Sequence, residues 1–160
     1  MSFPTGATNR IELVQVRTQN TASVRETIRQ DDLTDALGRM YQQVGAALAR
    51  QGVAATGPRF ARYHSFAETV DLEAGFHVSA PIRPDGLVQP STLPAGPAAR
   101  TVHVGSYETL QTSYAALAAW QERAGRTQNG GPWEVYLTDP STEPDPARWR
   151  TEILWPLTMR

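Results

Sequence analysis

The sequence predicts an α+β fold in which two strand-helix-strand-strand units form a curved antiparallel sheet, with two long helices on one face and a ligand groove on the other. Three observations carry that prediction. Two segments place apolar residues at three- and four-residue steps, the spacing of a helix that buries one side. Short stretches of alternating apolar and polar residues surround each of them. The order of these elements occurs twice along 160 residues, as expected of a duplicated domain.

The elements follow in order. After a loose leader, Ile11-Glu12-Leu13-Val14-Gln15-Val16-Arg17 alternates, apart from the adjacent Leu13 and Val14, and predicts a first strand. Thr18 to Gln30 is polar and is expected to be a connection. Leu33, Leu37, Met40, Tyr41, Val44, Ala47 and Leu48 then form one helical stripe, with Asp31 and Asp32 before it and Gly52 after it. Residues 58–64 and about 69–80 predict a hairpin; in its second strand Val70, Leu72, Ala74, Phe76 and Val78 oppose Asp71, Glu73, Gly75, His77 and Ser79. Residues 81–99 are rich in Pro and Gly, include Arg83-Pro84-Asp85-Gly86, and predict a turn and an irregular edge rather than an interdomain linker. Half of the chain alone would leave too little core around one helix.

The second half repeats the order. Residues 99–104 predict a strand, and residues 108–124 a helix burying Leu110, Tyr114, Leu117, Ala118 and either Trp120 or Gln121. A strand containing Glu134 and a last strand over residues 150–157 follow. Residues 1–160 therefore form a single domain with an internal repeat, roughly 11–80 and 98–157. In the expected alignment Gly57-Pro58-Arg59-Phe60-Ala61-Arg62 falls on Gly131-Pro132-Trp133-Glu134-Val135-Tyr136, and Glu73-Ala74-Gly75-Phe76 on Glu152-Ile153-Leu154-Trp155.

Composition narrows the function. Cysteine is absent, which removes disulfides and thiolate chemistry and fits a cytoplasmic setting. Residues 1–10 lack the basic and apolar parts of a signal peptide, and no stretch is long and apolar enough to span a bilayer. Every basic residue other than histidine is arginine, the formal net charge is -1, and the arginines are scattered from Arg10 to Arg160. No basic stripe exists to follow a phosphate backbone, so the chain by itself is not expected to bind nucleic acid.

The chemistry concentrates in Gly131-Pro132-Trp133-Glu134-Val135-Tyr136-Leu137-Thr138-Asp139-Pro140, where one carboxylate interrupts an aromatic and β-branched strand. Alternation puts Trp133, Val135 and Leu137 on one face and Glu134, Tyr136 and Thr138 on the other. A carboxylate among aromatics can counter a cation, accept a hydrogen bond or act as a general base; on an edge strand it can also simply face water. In the repeat Phe60 and Arg62 mirror Glu134 and Tyr136, and Phe76 mirrors Trp155, so that aromatic side chains from both halves line a groove or fill a core. Tyr63 lies opposite Phe60 by alternation and would turn into the groove after a bulge.

These residues carry a resemblance. Residues 133–140 followed by Thr151-Glu152-Ile153-Leu154-Trp155-Pro156-Leu157 resemble the C-terminal signature of the GyrI-like small-molecule-binding family. His103-Val104-Gly105-Ser106-Tyr107-Glu108-Thr109-Leu110 with Trp120 is similar to that family's strand-to-helix segment, and Tyr63-His64 with Asp71-Leu72-Glu73-Ala74-Gly75 agrees more weakly. Ser106 departs from the proline common there. The resemblance implies the fold of the effector-binding domains of AraC- and MerR-type bacterial regulators, in which a central glutamate in an aromatic pocket meets cationic, lipophilic ligands; Glu134 matches it. Some stand-alone members of similar fold hydrolyse cyclopropane-containing cytotoxins with a glutamate and a tyrosine. The scaffold also resembles the SOUL haem-binding proteins.

Two functions follow as expectations for a stand-alone domain. One is binding of hydrophobic, aromatic or cationic small molecules, a multidrug-type role, around Glu134, with Phe60, Tyr63, Phe76, Tyr107, Trp133 and Trp155 as ligand-contacting residues. The other is a hydrolase in which Glu134 directs a water onto a strained ring and Tyr136, ahead of Tyr63 and Tyr107, steadies the developing oxyanion. No cofactor or metal is expected, since His64, His77 and His103 make no recognisable ligand set for a metal or haem. No phosphate loop or serine nucleophile elbow is present, and the acidic, proline-rich residues 139–146 predict a solvated turn. The chain is expected to be a monomer or a homodimer paired through an edge strand.

Overall fold

The computed structural model of the protein describes residues 10–159. The leader, expected to be loose, and Arg160 lie outside the described residues. Eight strands and two long helices occur among them: β1 (Glu12–Val16), β2 (Gln19–Arg29), α1 (Leu33–Gln51), β3 (Arg59–Phe66), β4 (Thr69–His77), β5 (Gln89–Leu93), β6 (Gly96–Val104), α2 (Leu110–Ala124), β7 (Trp133–Tyr136) and β8 (Arg150–Pro156). They divide into two compact units, one spanning Arg17–Ala95 and the other made of the chain up to Val16 and everything from Gly96 onward.

In the Arg17–Ala95 unit four antiparallel strands lie in the order β5-β2-β4-β3. The segment 18–30, expected to be a connection, is instead mostly the eleven-residue strand β2. Its residues look solvent-facing in sequence, yet Ala22 and Val24 are buried, and Thr21 and Ser23 are buried beside them. A central strand flanked on both edges needs few large apolar side chains, because its neighbours supply the burial. The irregular edge expected over 81–99 contains β5, which pairs with β2. Helix α1 packs its buried Met40, Val44, Ala47 and Leu48 over β2 and β4. It stops at Gly52, whose φ of 67° is a left-handed conformation that costs a residue without a side chain little. Gly75 is needed for a different reason: a Cβ there would stand 1.9 Å from the Ala22 carbonyl oxygen.

The second unit has the corresponding order, β1-β6-β8-β7, all antiparallel. Helix α2 packs on β6 and buries Leu117 with Ala99, Ile153 and Leu157. Ile11, Leu110, Tyr114, Trp120 and Trp155 close over this cluster. The predicted first strand therefore forms, as β1, but it pairs with β6, in the register Glu12 to Arg100, and not with the strands that follow it in sequence.

The strand registers correct the alignment of the halves. Glu134 pairs with Ile153 and Trp133 with Leu154, while Ala61 pairs with Ala74 and Phe60 with Gly75. With β4 set on β8 as expected from sequence, Ala61 is the counterpart of Glu134, Phe60 of Trp133 and Tyr63 of Tyr136. The Gly-Pro pairs had suggested a shift of one, because Arg59 adds a residue between Pro58 and the strand's first aromatic. Counted back from the glycines that end the helices, Gly52 and Gly125, Tyr41 is the counterpart of Tyr114.

Candidate functional site

Glu134 is 4 % exposed and lies in the unit that contains β6–β8. Its side chain projects from the same face as Ile153, its cross-strand neighbour, and Ile153 packs against Leu117 of α2. The carboxylate thus faces the helix, whereas the sequence reading had put it on the helix-free face. The reason is the pleat: Trp133 is even more buried, at 1 % exposure, but occupies the opposite face, so both sides of β7 are covered.

Two tyrosine hydroxyls hold the carboxylate. Tyr114, from α2, donates to Oε2 at 2.6 Å, and Tyr136, two residues along β7, donates to Oε1 at 2.7 Å. Burial is the largest influence on its ionisation and raises its pKa above the ordinary value; the bonds from Tyr114 and Tyr136 pull it back only in part. Further rings pack on these two tyrosines. Tyr107 meets Tyr136 edge-on at 5.8 Å and lies 4.9 Å from Trp149, while Tyr114 lies 6.2 Å from Trp155. Trp155 and Trp149 are fixed through their indole N–H groups, which donate to Gln121 Oε1 and to the Glu143 carbonyl, each at 2.7 Å.

The local chain explains how these rings arrive. Gly105, with φ 127°, turns the chain out of β6, and its N–H donates to the Trp149 carbonyl at 2.8 Å, which sets Trp149 beside Tyr107. The acidic stretch forms the exposed turns expected of it: Asp139 accepts from the Ser141 N–H and Asp145 from the Ala147 N–H. Among the described residues no group of three or more His, Asp or Glu side chains is arranged to hold a metal. No described helix is long and apolar enough to cross a membrane.

Of the residues singled out from sequence, Glu134, Tyr136 and Tyr107 come together here, and Trp155 joins them through Tyr114. Trp133 belongs to the same unit on the other face of β7. Phe60, Tyr63 and Phe76 belong to the Arg17–Ala95 unit: Phe60 is fully buried 5.6 Å from the His77 ring, and Phe76 meets Tyr41 at 5.9 Å. A bulge does occur in β3, but between Tyr63 and Ser65, so Tyr63 keeps its alternation and packs on Phe66 at 5.8 Å. Two members of the Glu134 cluster were missed. Tyr114 read only as a buried helix position, although a buried tyrosine hydroxyl needs a partner, and that need was a usable signal. Trp149 lies beyond a turn, where no periodicity marks it.

The Arg17–Ala95 unit holds a different buried carboxylate. Glu73, on β4, accepts from Ser23 Oγ at 2.7 Å and from His64 Nε2 at 2.8 Å. Burial opposes its ionisation, but hydrogen bonds from His64, Ser23 and Ser91 and the charge on His64 prevail and lower its pKa to about 2. Glu73 is thus an ionised, fully partnered group, and Glu134 a desolvated one.

Comparison with known proteins agrees with this architecture. The C-terminal domain of EcmrR superposes with a TM-score of 0.84 at 22% identity, over 95% of this chain and 99% of that domain. In the EcmrR–DNA complex the TM-score is 0.83 at 23% identity over 96% of this chain, which spans only 59% of the EcmrR chain. A hydrolase encoded by lin2189 of Listeria innocua matches with a TM-score of 0.66 at 14% identity, over 93% of this chain and 92% of that one. SAV2435 bound to tetraphenylphosphonium matches with a TM-score of 0.66 at 13% identity, over 93% and 94%. No functionally curated protein matches the chain. The profile of the GyrI-like small molecule binding domain matches residues 7–158, nearly the whole chain, and with the fold in agreement the protein belongs to that family.

Proposed function

We propose that the protein binds hydrophobic, aromatic or cationic small molecules at Glu134, whose ionised carboxylate supplies the counter-charge. The observation that carries this reading is a carboxylate only 4 % exposed, met by two tyrosine hydroxyls and, among the described residues, by no hydrogen-bonded cationic side chain, with Tyr107 and Trp155 packed on those two tyrosines and Trp149 on Tyr107. A lipophilic cation that reaches it gains cation–π contact with the rings and the carboxylate's attraction at low dielectric. SAV2435, which shares the fold, is bound to such a cation, tetraphenylphosphonium. Isothermal titration with tetraphenylphosphonium tests the proposal: saturable binding at one site per chain, weakened in Glu134→Gln, is the expected result. With a net charge of -1 and no basic stripe, the domain is proposed to act in the cytoplasm without contacting nucleic acid itself.

One observation favours a second reading, hydrolysis of strained-ring compounds such as cyclopropanes. Burial raises the affinity of Glu134 for a proton while Tyr114 and Tyr136 stand at hydrogen-bonding distance, a pairing of base and acid. In that reaction Glu134 accepts a proton from water as its oxygen bonds to a ring carbon. The ring C–C bond breaks toward a conjugated carbonyl, and a tyrosine O–H stabilises the resulting oxyanion, which takes up the proton. Mass analysis after incubation distinguishes the readings, since hydrolysis adds one water to the compound and binding adds nothing.

A further inference from the structure

We propose that His103 is the positioning residue of the Glu134 site, fixing the two tyrosines that approach it from outside β7. His103, one residue before the end of β6, is 4 % exposed and has neither Glu134 nor any hydroxyl bonded to Glu134 among its hydrogen-bond partners. Its ring instead clamps the start of the following helical segment at both nitrogens. Nε2 stands 3.0 Å from the Ser106 carbonyl and 3.0 Å from Thr109 Oγ1, and Nδ1 stands 2.7 Å from Ser113 Oγ.

The tautomer follows from these partners. A backbone carbonyl can only accept, so Nε2 carries the proton given to Ser106, and in the neutral ring Nδ1 accepts from the Ser113 hydroxyl. Each end of the clamp sits one residue from a ring of the site. Ser106 precedes Tyr107, which packs on Tyr136, and Ser113 precedes Tyr114, which donates to Glu134. Neighbouring residues in a helix point about 100° apart, so a ring that fixes Ser113 fixes the azimuth of Tyr114 without occupying its place. Thr109 also donates to the Ser106 carbonyl at 3.0 Å, which ties the two ends of the clamp together. A buried imidazole bonded at both nitrogens, joining a strand to the helix that carries a site hydroxyl, orients that hydroxyl as an outer partner orients a ligand-binding side chain.

This inference rests on the reading of Glu134 as the binding centre, and its experiment separates the two. The carboxyl carbon of Glu134 is titrated by carbon-13 NMR without ligand in the wild type, His103→Phe, His103→Gln and Ser113→Ala, and tetraphenylphosphonium affinity is measured on each. In His103→Phe the Glu134 titration is expected to move to higher pH and the affinity to fall about 10-fold, the size of a misaligned hydrogen bond to a charged group. His103→Gln keeps one donor and one acceptor in reach and is expected to restore both. A folded His103→Phe protein with unaltered Glu134 titration overturns the proposal. If that variant does not fold, Ser113→Ala decides the matter: an upward shift supports the clamp and an unchanged titration overturns it. Should Glu134→Gln leave cation affinity intact, the binding reading falls, while the ligand-free titrations still judge the clamp.

Discussion

Replacing Glu134 by Gln isolates charge from shape, because the hydrogen-bond pattern around the side chain can survive. The amide oxygen accepts from one tyrosine hydroxyl, and the amide N–H can donate to the oxygen of the other. Only the negative charge is lost. A cation held roughly 5 Å from the carboxylate in a medium of effective dielectric about 20 gains about 3 kcal/mol, of which desolvation of the pair returns a part. A net of about 2 kcal/mol corresponds to about 30-fold in affinity. Calorimetry at pH 8 should therefore show tetraphenylphosphonium weakened about 30-fold in the variant, and triphenylphosphine oxide, aromatic but neutral, held within about 3-fold. The pH dependence supplies the second half of the test. Burial holds the Glu134 pKa above its ordinary 4.5, so the charge is absent at low pH and cation affinity should rise as pH climbs through the folded value, in the wild type alone. Equal losses for the cation and the neutral compound, or the same pH profile in the Gln variant, would refute the reasoning.

Removing the tyrosine hydroxyls singly, as Tyr114→Phe or Tyr136→Phe, withdraws a donor at 2.6 or 2.7 Å from a buried carboxylate. Each should raise the Glu134 pKa further and cost the ionised form about 1.5–3 kcal/mol, readable by the same carbon-13 titration. The two buried glutamates should give stability opposite dependences on pH. Glu73, lowered from 4.5 to about 2, contributes on the order of 3 kcal/mol that is present above 4.5 and lost as pH falls toward 2. Glu134, raised, is favoured by the fold when protonated; its contribution is full below 4.5 and is lost as pH rises through its folded pKa. Urea denaturation across pH of Glu73→Gln and Glu134→Gln should flatten the limb below 4.5 in the first and the loss of stability above 4.5 in the second. Gly75→Ala should destabilise by more than about 3 kcal/mol, or prevent folding, because the new methyl would meet the Ala22 backbone and break the β2–β4 pairing; circular dichroism melts check it.

The parts of the molecule that the sequence made legible are those with period and punctuation. Both helices announce themselves by stripes such as Met40, Val44, Ala47 and Leu48, and Glu134 by being a charge in an apolar strand. Strand β2 hid because its burial comes from its neighbours in the sheet, and pairing partners are not written in a strand's own composition. The face on which Glu134 lies was lost for a related reason: alternation tells which residues share a side but not which side the helix will cover. The one-residue slip between the repeats followed from trusting Gly57-Pro58 as an anchor. Register is set by the ladder, where Phe60 meets Gly75, and loops absorb insertions freely.

The pairing of β1 with β6 has a consequence for how the chain assembles. The Arg17–Ala95 unit is one unbroken length and has everything it needs once Ala95 has been synthesised. Its companion must wait: Glu12 and Arg100, which bridge β1 and β6, are separated by 88 residues. A loop that long adds closure entropy and places this contact among the slow, non-local steps of folding. The Glu134 cluster, the proposed binding centre, lies in that companion unit on α2, β7 and β8, so the growing polypeptide completes it after the Arg17–Ala95 length has already become a scaffold.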